Sequence, residues 1–222
     1  MVRPLLLDLY CGAGGGARGY HDAGFDVVGV DAEPMPRYPY EFHKADALEW
    51  LAGADLSRFA AIHASPPCQD HSPLSKNYGA PQHGTGHLLE DTLAALRVQP
   101  LPWVVENVSW APMPSALTLC GASFGLGASG LDLNRHRRFE TSFPMLAPPC
   151  QHRRGLTIGV YGNGTNSWHR RKLGRCLRID EMREAMDIDW MTRAELSQAI
   201  PPAYTAYVGE HLLAAVTTRV VR

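Results

Sequence analysis

Three observations in the sequence predict an α/β protein built on a parallel β-sheet. Short apolar runs alternate with stretches of helical periodicity through the first half of the chain. The first run ends in a glycine-rich turn, and the second is β-branched and ends at Asp31. Strands separated by helices of about ten residues imply parallel neighbours that are joined by right-handed crossovers.

The predicted elements alternate regularly as far as Val108. Strands are expected at residues 5–10, 25–30, 42–43, 59–64 and 103–105, and helices at 17–23, 47–53 and 86–98. Gly, Pro and Ser then punctuate residues 109–134, and one clear strand, 157–161, stands out within 144–178. Helices return at 179–186, at 192–198 behind a Thr192–Glu195 capping box, and at 203–218.

The composition is that of a globular protein. A chain of 222 residues with 45% hydrophobic content can form one domain, or a domain with a small lobe. No apolar run approaches the roughly 20 residues that cross a bilayer, and the first residues lack a cleavable signal. Five cysteines without framework spacing indicate free thiols in a reducing compartment. We therefore expect a cytoplasmic protein.

Positive charge is concentrated in one part of the chain. Residues 135–178 hold 10 Lys and Arg against 1 Asp or Glu, whereas residues 1–134 hold 7 against 14. Such a basic stretch inside a chain of net charge −1 is typical of a face that contacts nucleic-acid phosphates. A solvated loop with scattered arginines is the alternative.

The glycine-rich turn lies between the first strand and the first helix. Its sequence, residues 12–16, is GAGGG, and the acid Asp31 follows about 20 residues later, at the end of the second strand. Glycines allow close approach of the backbone to a ligand, and a carboxylate at this position can bind ribose hydroxyls. The pattern suits either a dinucleotide or S-adenosylmethionine, although tight packing alone can also demand glycine.

Cys68 follows two prolines directly after the fourth strand. It is therefore expected at the carboxyl edge of the sheet, where sites of α/β proteins form, with its direction restricted by Pro66 and Pro67. Such a thiol could act as a nucleophile once it is deprotonated. A buried structural cysteine is the alternative.

Glu106 ends the next strand and would lie beside Cys68 if the two strands are neighbours. A carboxyl group after an apolar strand is costly to bury, and burial would raise its pKa and let it donate a proton to a ring nitrogen. A structural glutamate bonded to loop amides is the alternative.

These motifs, in this order, resemble those of DNA (cytosine-5)-methyltransferases over nearly the whole chain. Residues 8–25 resemble the first motif of that family, with Tyr10 where Phe is usual. Residues 65–69 (SPPCQ) resemble the nucleophile motif, and residues 106–108 (ENV) match without change. Arg135 and Arg137 resemble the two spaced arginines of a later motif, with Leu133 in place of Gln. Residues 198–201 and 208–209 resemble the closing motif.

The resemblance implies a Rossmann-like, S-adenosylmethionine-dependent methyltransferase fold with a small basic, loop-rich target-recognition insertion. Asp31 would bind the ribose of the cofactor, and Asp46 would contact its adenine amino group. The full set of implied cofactor-binding residues is Asp8, Tyr10, Gly12, Gly14, Gly15, Asp31, Asp46, Pro67 and Gln198.

The resemblance also implies a mechanism. Cys68 would add to carbon 6 of cytosine while Glu106 engages ring nitrogen 3, so that carbon 5 can accept the methyl group. Arg137 would help hold the base, with Arg135 in support. The base must leave the duplex to be reached, at a cost of a few kcal/mol.

The implied partner is double-stranded DNA, in a bacterial or phage-infected cell. We expect a catalytic core at 1–142, a target-recognition insertion at 143–193 and a returning segment at 194–222. Because the insertion is short, recognition would depend on few residues or on a partner subunit, and a cognate restriction nuclease is left open. The candidates are Arg153, Arg154, His169, Arg170, Arg171 and Lys172. Methylation of RNA and a catalytically silent DNA-binding subunit are the alternative functions.

Two cysteines and two histidines of the insertion could supply metal ligands. They are Cys150, His152, His169 and Cys176, and their spacing matches no familiar zinc finger. We therefore predict no metal site from the sequence.

Overall fold

A computed structural model describes residues 2–68, 87–153, 155–161 and 174–220. The strands are β1 (Leu5–Leu9), β2 (Asp26–Asp31), β3 (Glu41–Lys44), β4 (Ala61–Ala64), β5 (Trp103–Val108), β6 (Leu117–Cys120), β7 (Gly127–Ala128), β8 (Leu131–Leu133), β9 (His136–Thr141) and β10 (Thr157–Ile158). The helices are α1 (Gly15–Asp22), α2 (Ala47–Gly53), α3 (Leu88–Arg97), α4 (Ile179–Met186), α5 (Arg193–Gln198) and α6 (Pro202–Val220). Among these helices, none has the length and apolar character that crossing a membrane requires.

Within the described residues, seven strands form the central sheet in the order β3-β2-β1-β4-β5-β9-β6. Strands β1 to β5 pair in parallel, as the alternating pattern predicts. Strand β9 runs antiparallel between β5 and β6, which the sequence did not indicate. The parallel strands bring the ends of β1, β2, β4 and β5 to one edge, which is where ligands bind in sheets of this kind.

Apolar residues alternate between the two faces of the sheet and form two cores. Leu6, Val27 and Val104 pack on the side of α1 and α6, whereas Leu7 and Val28 pack on the side of α2 and α3. Helix α1 can approach α6 because its facing residues are glycines. A Cβ atom on Gly19 would lie 2.0 Å from the carbonyl oxygen of Pro202.

A second, three-stranded sheet has the order β10-β8-β7 and packs with α4 around a third apolar cluster. Strands β7 and β8 precede residue 143, so this small lobe draws on both sides of the boundary that we expected between core and insertion. Ile158 of β10 and Met182 of α4 are both buried in its core. The small lobe therefore contains residues that precede the expected insertion as well as residues of the insertion itself.

The capping box of Thr192 and Glu195 is present: each side chain bonds the backbone of the other. Strands β6 to β9 were not predicted. In β9 the buried positions include Arg137 and Glu140, so polar residues hide the strand periodicity that burial would otherwise reveal.

Candidate active site at the carboxyl edge of the sheet

The glycine-rich turn adopts a backbone that ordinary residues avoid. Gly12 and Gly14 have φ angles of 51° and 86°, and Tyr10 has the unusual value of 58°. A Cβ atom on Gly12 would meet nothing within 4 Å, so space is open beside the backbone there. By contrast, a Cβ atom on Gly14 would lie 2.6 Å from Pro39, which packs over the start of α1.

Asp31 lies at the end of β2 and is joined directly to this turn. One carboxylate oxygen accepts the Gly12 N–H at 3.0 Å, and the other accepts the Glu33 N–H at 3.0 Å. Asp31 is half-buried. Because a carboxylate has about four acceptor positions, it retains capacity for hydroxyl donors.

Tyr10 precedes the glycine-rich turn, and Asp46 lies near enough to Tyr10 to act on its hydroxyl electrostatically. The Tyr10 hydroxyl pairs with Thr92 of α3 at 3.0 Å. Burial raises the pKa of this hydroxyl, the bond to Thr92 lowers it, and the Asp46 carboxylate raises it. Asp46 is exposed and caps α2, with the same oxygen, Oδ1, accepting the N–H groups of Leu48 and Glu49 at 2.9 Å.

Asp8 belongs to the core of the sheet, where it is 2% exposed. Tyr38 donates its hydroxyl to Asp8 Oδ2 at 3.3 Å, and His63 Nε2 lies 4.0 Å from Oδ1. Burial raises the pKa of Asp8 to about 8 and lowers that of His63 to about 3. This surrounding gives Asp8 a structural position, and its contact with a cofactor stays a prediction.

The loop that carries Cys68 is tied to two neighbouring strands. Ser65 donates its hydroxyl to the carbonyl oxygen of Tyr10 at 3.1 Å. Asn107, fully buried on β5, donates its side-chain amide to the carbonyl oxygen of Pro66 at 3.0 Å and accepts the Val108 N–H at 2.9 Å. Sequence reasoning gave Asn107 no role of its own, although its place between Glu106 and Val108 in the motif was the available signal.

Glu106 and Arg137 meet across β5 and β9. Arg137 Nε lies 3.0 Å from Glu106 Oε1, and both side chains are less than a tenth exposed. The contact lacks hydrogen-bond alignment, so Oε1 is a buried acceptor without a hydrogen bond to any described residue. A buried acceptor in this condition is costly to the fold and is available to a ligand.

Electrostatics couple Cys68 to this pair. Burial raises the pKa of the half-buried Cys68 thiol, Arg137 lowers it, and the Glu106 carboxylate raises it. Burial also raises the pKa of Glu106, against the opposing effects of Arg137 and Arg135. The predicted nucleophile, the predicted acid and both arginines thus lie close enough for their charges to act on one another.

Arg135 is fully buried and binds backbone carbonyls. Its guanidinium donates to Ser197 at 2.9 Å, to Ala199 at 2.7 Å and to Val160, and it lies over the ring of Tyr161. Burial, and then Arg137, lower its pKa to about 10. Arg135 therefore connects β9 to α5 and to the small lobe, and acts on Cys68 and Glu106 through its charge.

The predicted closing motif packs against the glycine-rich turn. A Cβ atom on Gly15 would lie 2.5 Å from the carbonyl oxygen of Ile200, so the two backbones touch. Trp190 donates its indole N–H to the carbonyl oxygen of Ala13 at 3.0 Å. Gln198 ends α5 with an exposed side chain, two residues from that contact, and Pro67 is half-buried beside Cys68.

The basic stretch is largely paired inside the protein where the structure describes it. All six described arginines between residues 135 and 178 have protein partners, namely Arg135, Arg137, Arg138, Arg153, Arg175 and Arg178. Arg153, for example, binds the Asp132 carboxylate at 2.8 Å. Arg154 and the predicted group from His169 to Lys172 lie outside the described residues. The predicted phosphate-binding face thus depends mainly on those residues.

The central sheet, with its antiparallel β9, and the helices on its two faces form a Rossmann-like fold that is shared with solved methyltransferase structures. A prophage-encoded protein from E. coli, described as a DNA modification methyltransferase, shares this fold with a TM-score of 0.59 and 12% identity, over 97% of this chain and 99% of that one. DNMT2 from Spodoptera frugiperda does so with a TM-score of 0.58 and 12% identity, over 95% and 99% of the two chains.

One curated methyltransferase is also similar to this chain in sequence. The Type II methyltransferase M.XorII from Xanthomonas oryzae pv. oryzae is 26% identical over an alignment of 155 residues, which covers 63% of this chain. The chain spans about a third of the length of that relative, since the match covers 31% of it. No family model matches the chain. These findings confirm the resemblance to DNA methyltransferases that the motifs indicated.

Proposed function

We propose that this protein transfers a methyl group from S-adenosylmethionine to carbon 5 of cytosine in DNA, through a covalent bond to Cys68. The observation that carries the proposal is the meeting of three groups at one sheet edge. Cys68 lies on a loop that is bonded to Asn107, the residue after Glu106 on β5. The buried Oε1 of Glu106 lacks a hydrogen bond, and Arg137 Nε lies 3.0 Å from that oxygen.

The residues around the glycine-rich turn fit the cofactor. Space is open beside Gly12, and Asp31 retains acceptor capacity for ribose hydroxyls. Asp46 uses Oδ1 for its helix cap, which leaves Oδ2 for an adenine amino group. Tyr10, Pro67 and Gln198 complete the proposed site. When bound, S-adenosylmethionine supplies an electrophilic methyl group.

In the proposed mechanism Cys68 attacks carbon 6 of the ring as a thiolate. Its pKa is raised by burial, so it needs help to lose its proton, and the positive charges of Arg137 and Arg135 favour the thiolate. The Asn107 bond to Pro66 holds the loop so that the sulfur approaches the ring from a defined direction.

Glu106 supports the same step from the other side of the ring. Burial raises its pKa, so it can hold a proton and share it with ring nitrogen 3. Electron density would then reach carbon 5, which would take the methyl group as the sulfur–methyl bond of the donor breaks and S-adenosylhomocysteine leaves. Loss of the proton from carbon 5 returns the electron pair to the ring, and the bond to Cys68 breaks.

A mechanism-based trap tests the covalent step. Duplex DNA with 5-fluorocytosine cannot lose a proton from carbon 5 after methylation, so the adduct with Cys68 should persist. We expect a covalent complex in denaturing gels with the wild type and with Cys176→Ala, and none with Cys68→Ala. A folded wild-type protein that forms no adduct with a substrate it methylates would contradict the proposal, and a protein that methylates nothing would be a silent subunit.

A second experiment separates DNA from RNA. Transfer of tritiated methyl groups is measured on duplex DNA and on transfer RNA, followed by mapping of the modified position. We expect 5-methylcytosine in DNA, which in expressing cells would also reveal the recognition sequence. Transfer to RNA alone would keep the chemistry and overturn the proposed substrate.

A further inference from the structure

Two cysteines and two histidines, residue types that bind zinc in many proteins, converge at the β6 edge of the central sheet. All four are distant from Cys68 in sequence. They are Cys120, His136, Cys150 and His152, and their ligand atoms all lie within 4.8 Å of one another. Cys120 Sγ lies 3.6 Å from His152 Nδ1, Cys150 Sγ lies 3.0 Å from the same nitrogen, and His136 Nε2 lies 3.4 Å from Cys150 Sγ.

These separations are close to those of a tetrahedral metal site. With Zn–S bonds of about 2.3 Å and Zn–N bonds of about 2.0 Å, sulfur and nitrogen ligands lie roughly 3.5 Å apart. The three sulfur–nitrogen separations, 3.0, 3.4 and 3.6 Å, lie around that value. The rings of His136 and His152 stand at 78° to each other, so that both can aim a nitrogen at one point without stacking.

The fold holds the four ligands in two pairs. Cys120 and His136 are directly opposite each other in the antiparallel pairing of β6 and β9. Cys150 and His152 lie on a segment that is fastened at both ends. Ser123 donates its hydroxyl to the carbonyl oxygen of Pro149 at 2.8 Å.

The other end of that segment is held by a charged residue. The Arg153 N–H donates to Asp132 at 2.7 Å, and the Arg153 guanidinium binds the same carboxylate. Ligands held in this way are positioned in advance, which lowers the entropy cost of binding a metal.

We propose that Cys120, His136, Cys150 and His152 form a structural zinc site. Two thiolates and two neutral imidazoles are the ligand set that zinc prefers, and the thiolates balance the charge of the ion. Four protein ligands leave no open position for a substrate, so the site serves the structure rather than catalysis. The proposal differs from the sequence-based expectation of no metal.

The sequence could pair Cys150 with His152 by spacing, but their partners come from elsewhere. Cys176, a possible ligand by sequence, lies outside the cluster, and His169 lies outside the described residues. Cys120 and His136 are supplied by two strands that were not predicted. Only the pairing of β6 with β9 makes them neighbours.

The site would connect two parts of the molecule. His136 lies on β9 next to Arg137, which contacts Glu106, and His152 leads directly into the remainder of the basic insertion. The ion would fasten the segment around Cys150 to the central sheet. Its effect on methyl transfer would therefore be indirect, through the position of β9.

The test is metal analysis of the purified full chain, expressed with added zinc and purified without chelators. We expect about one zinc per chain in the wild type. Cys150→Ser should lose about nine-tenths of it, because the variant removes one of four ligands. Cys150 is exposed, so its substitution leaves the core intact. Cys176→Ser, a partly buried cysteine outside the cluster, should retain the zinc of the wild type.

Cobalt substitution gives a second measurement. The wild type and Cys176→Ser should show the intense visible bands of tetrahedral cobalt and thiolate-to-cobalt charge transfer, and Cys150→Ser should not. Less than about one zinc per ten wild-type chains would overturn the proposal. So would equal zinc in the two serine variants, or a disulfide between Cys120 and Cys150 found by mass spectrometry without reductant.

Discussion

Glu106 at the sheet edge and Glu181 in the small lobe are both buried beside an arginine, yet their surroundings differ. Glu181 receives two short bonds from Arg175, at 2.6 and 2.7 Å, and further bonds from Ser129 and from the Arg178 N–H. The Arg175 side chain and these other donors hold the pKa of Glu181 well below its usual range. Glu106 has a charged contact with Arg137, but the oxygen that makes this contact, Oε1, lacks an aligned hydrogen bond, and burial raises the pKa of Glu106.

The two glutamates differ in how fully the protein satisfies their carboxylate oxygens. A carboxylate whose acceptor positions are filled by its own protein stabilises the fold and has little left for a ligand. A buried carboxyl with an unfilled position costs stability and is a candidate for chemistry. Substitutions at Glu106 and Glu181, and at Asn107 and Asp8, test that distinction.

The largest effect is expected for Glu106→Gln. The amide cannot donate a proton as the carboxyl does, so the rate of methyl transfer should fall by about 10²- to 10⁴-fold. The variant should remain folded, because the Gln oxygen can still face Arg137, but it should lose some stability because the buried guanidinium loses its charged partner. Single-turnover kinetics and thermal unfolding measure the two effects. A rate close to that of the wild type would remove Glu106 from the mechanism.

Asn107→Ala should have the next largest effect on chemistry. Without the bond to Pro66 the Cys68 loop loses its tie to β5, and a small misplacement of the sulfur should slow adduct formation by about 10- to 100-fold. Cofactor affinity, measured by calorimetry, should not change. The matched control is Asn134→Ala, whose hydrogen bonds to Ile158 and Tyr161 use its backbone. Equal adduct rates in both variants would show that the tie has no catalytic consequence.

Glu181→Gln should lower the stability of the protein and leave the rate of methyl transfer unchanged. The substitution weakens several charge-assisted hydrogen bonds, so the free energy of unfolding should fall by about 1–3 kcal/mol. Methyl transfer per folded molecule should stay the same. Chemical denaturation and activity at low temperature measure both quantities. A slow but stable variant would reverse the roles assigned to the two glutamates.

Asp8 provides a third buried carboxyl and a smaller effect that depends on pH. Its folded-state pKa is about 8, against 3.8 for an ordinary Asp, so the folded protein binds the extra proton between those values. Stability from this group is therefore present at low pH and is lost as the pH rises through 8. The lowered pKa of His63, about 3 against 6.5, acts below pH 6.5 and in the opposite direction.

The measurement is the free energy of unfolding between pH 6.5 and 8.5 for the wild type and Asp8→Asn. The wild type should lose stability with rising pH more steeply than the variant, which has no proton to lose at this position. The Tyr38 hydroxyl can still donate to the amide oxygen, so the variant should fold. Parallel curves for the two proteins would contradict the raised pKa of Asp8.

Local patterns in the chain were enough to predict the parallel half of the sheet and the three helices that connect its strands. Each of these elements is specified by neighbours in sequence, through short apolar runs, helical periodicity or glycine at a turn, and α5 is likewise specified by its capping residue Thr192. The motifs around Cys68 and Glu106 were also legible, because strands β4 and β5 are parallel neighbours and end at the same edge.

Contacts between distant residues decided the rest, because no short window of sequence contains both partners. The antiparallel β9 brings Arg137 onto Glu106, and Asn107 reaches back to Pro66. The same strand places His136 beside Cys120, in a region where buried polar residues conceal the strand pattern. Burial and charge at these positions depend on which strands become neighbours, and that is settled only when the sheet is assembled.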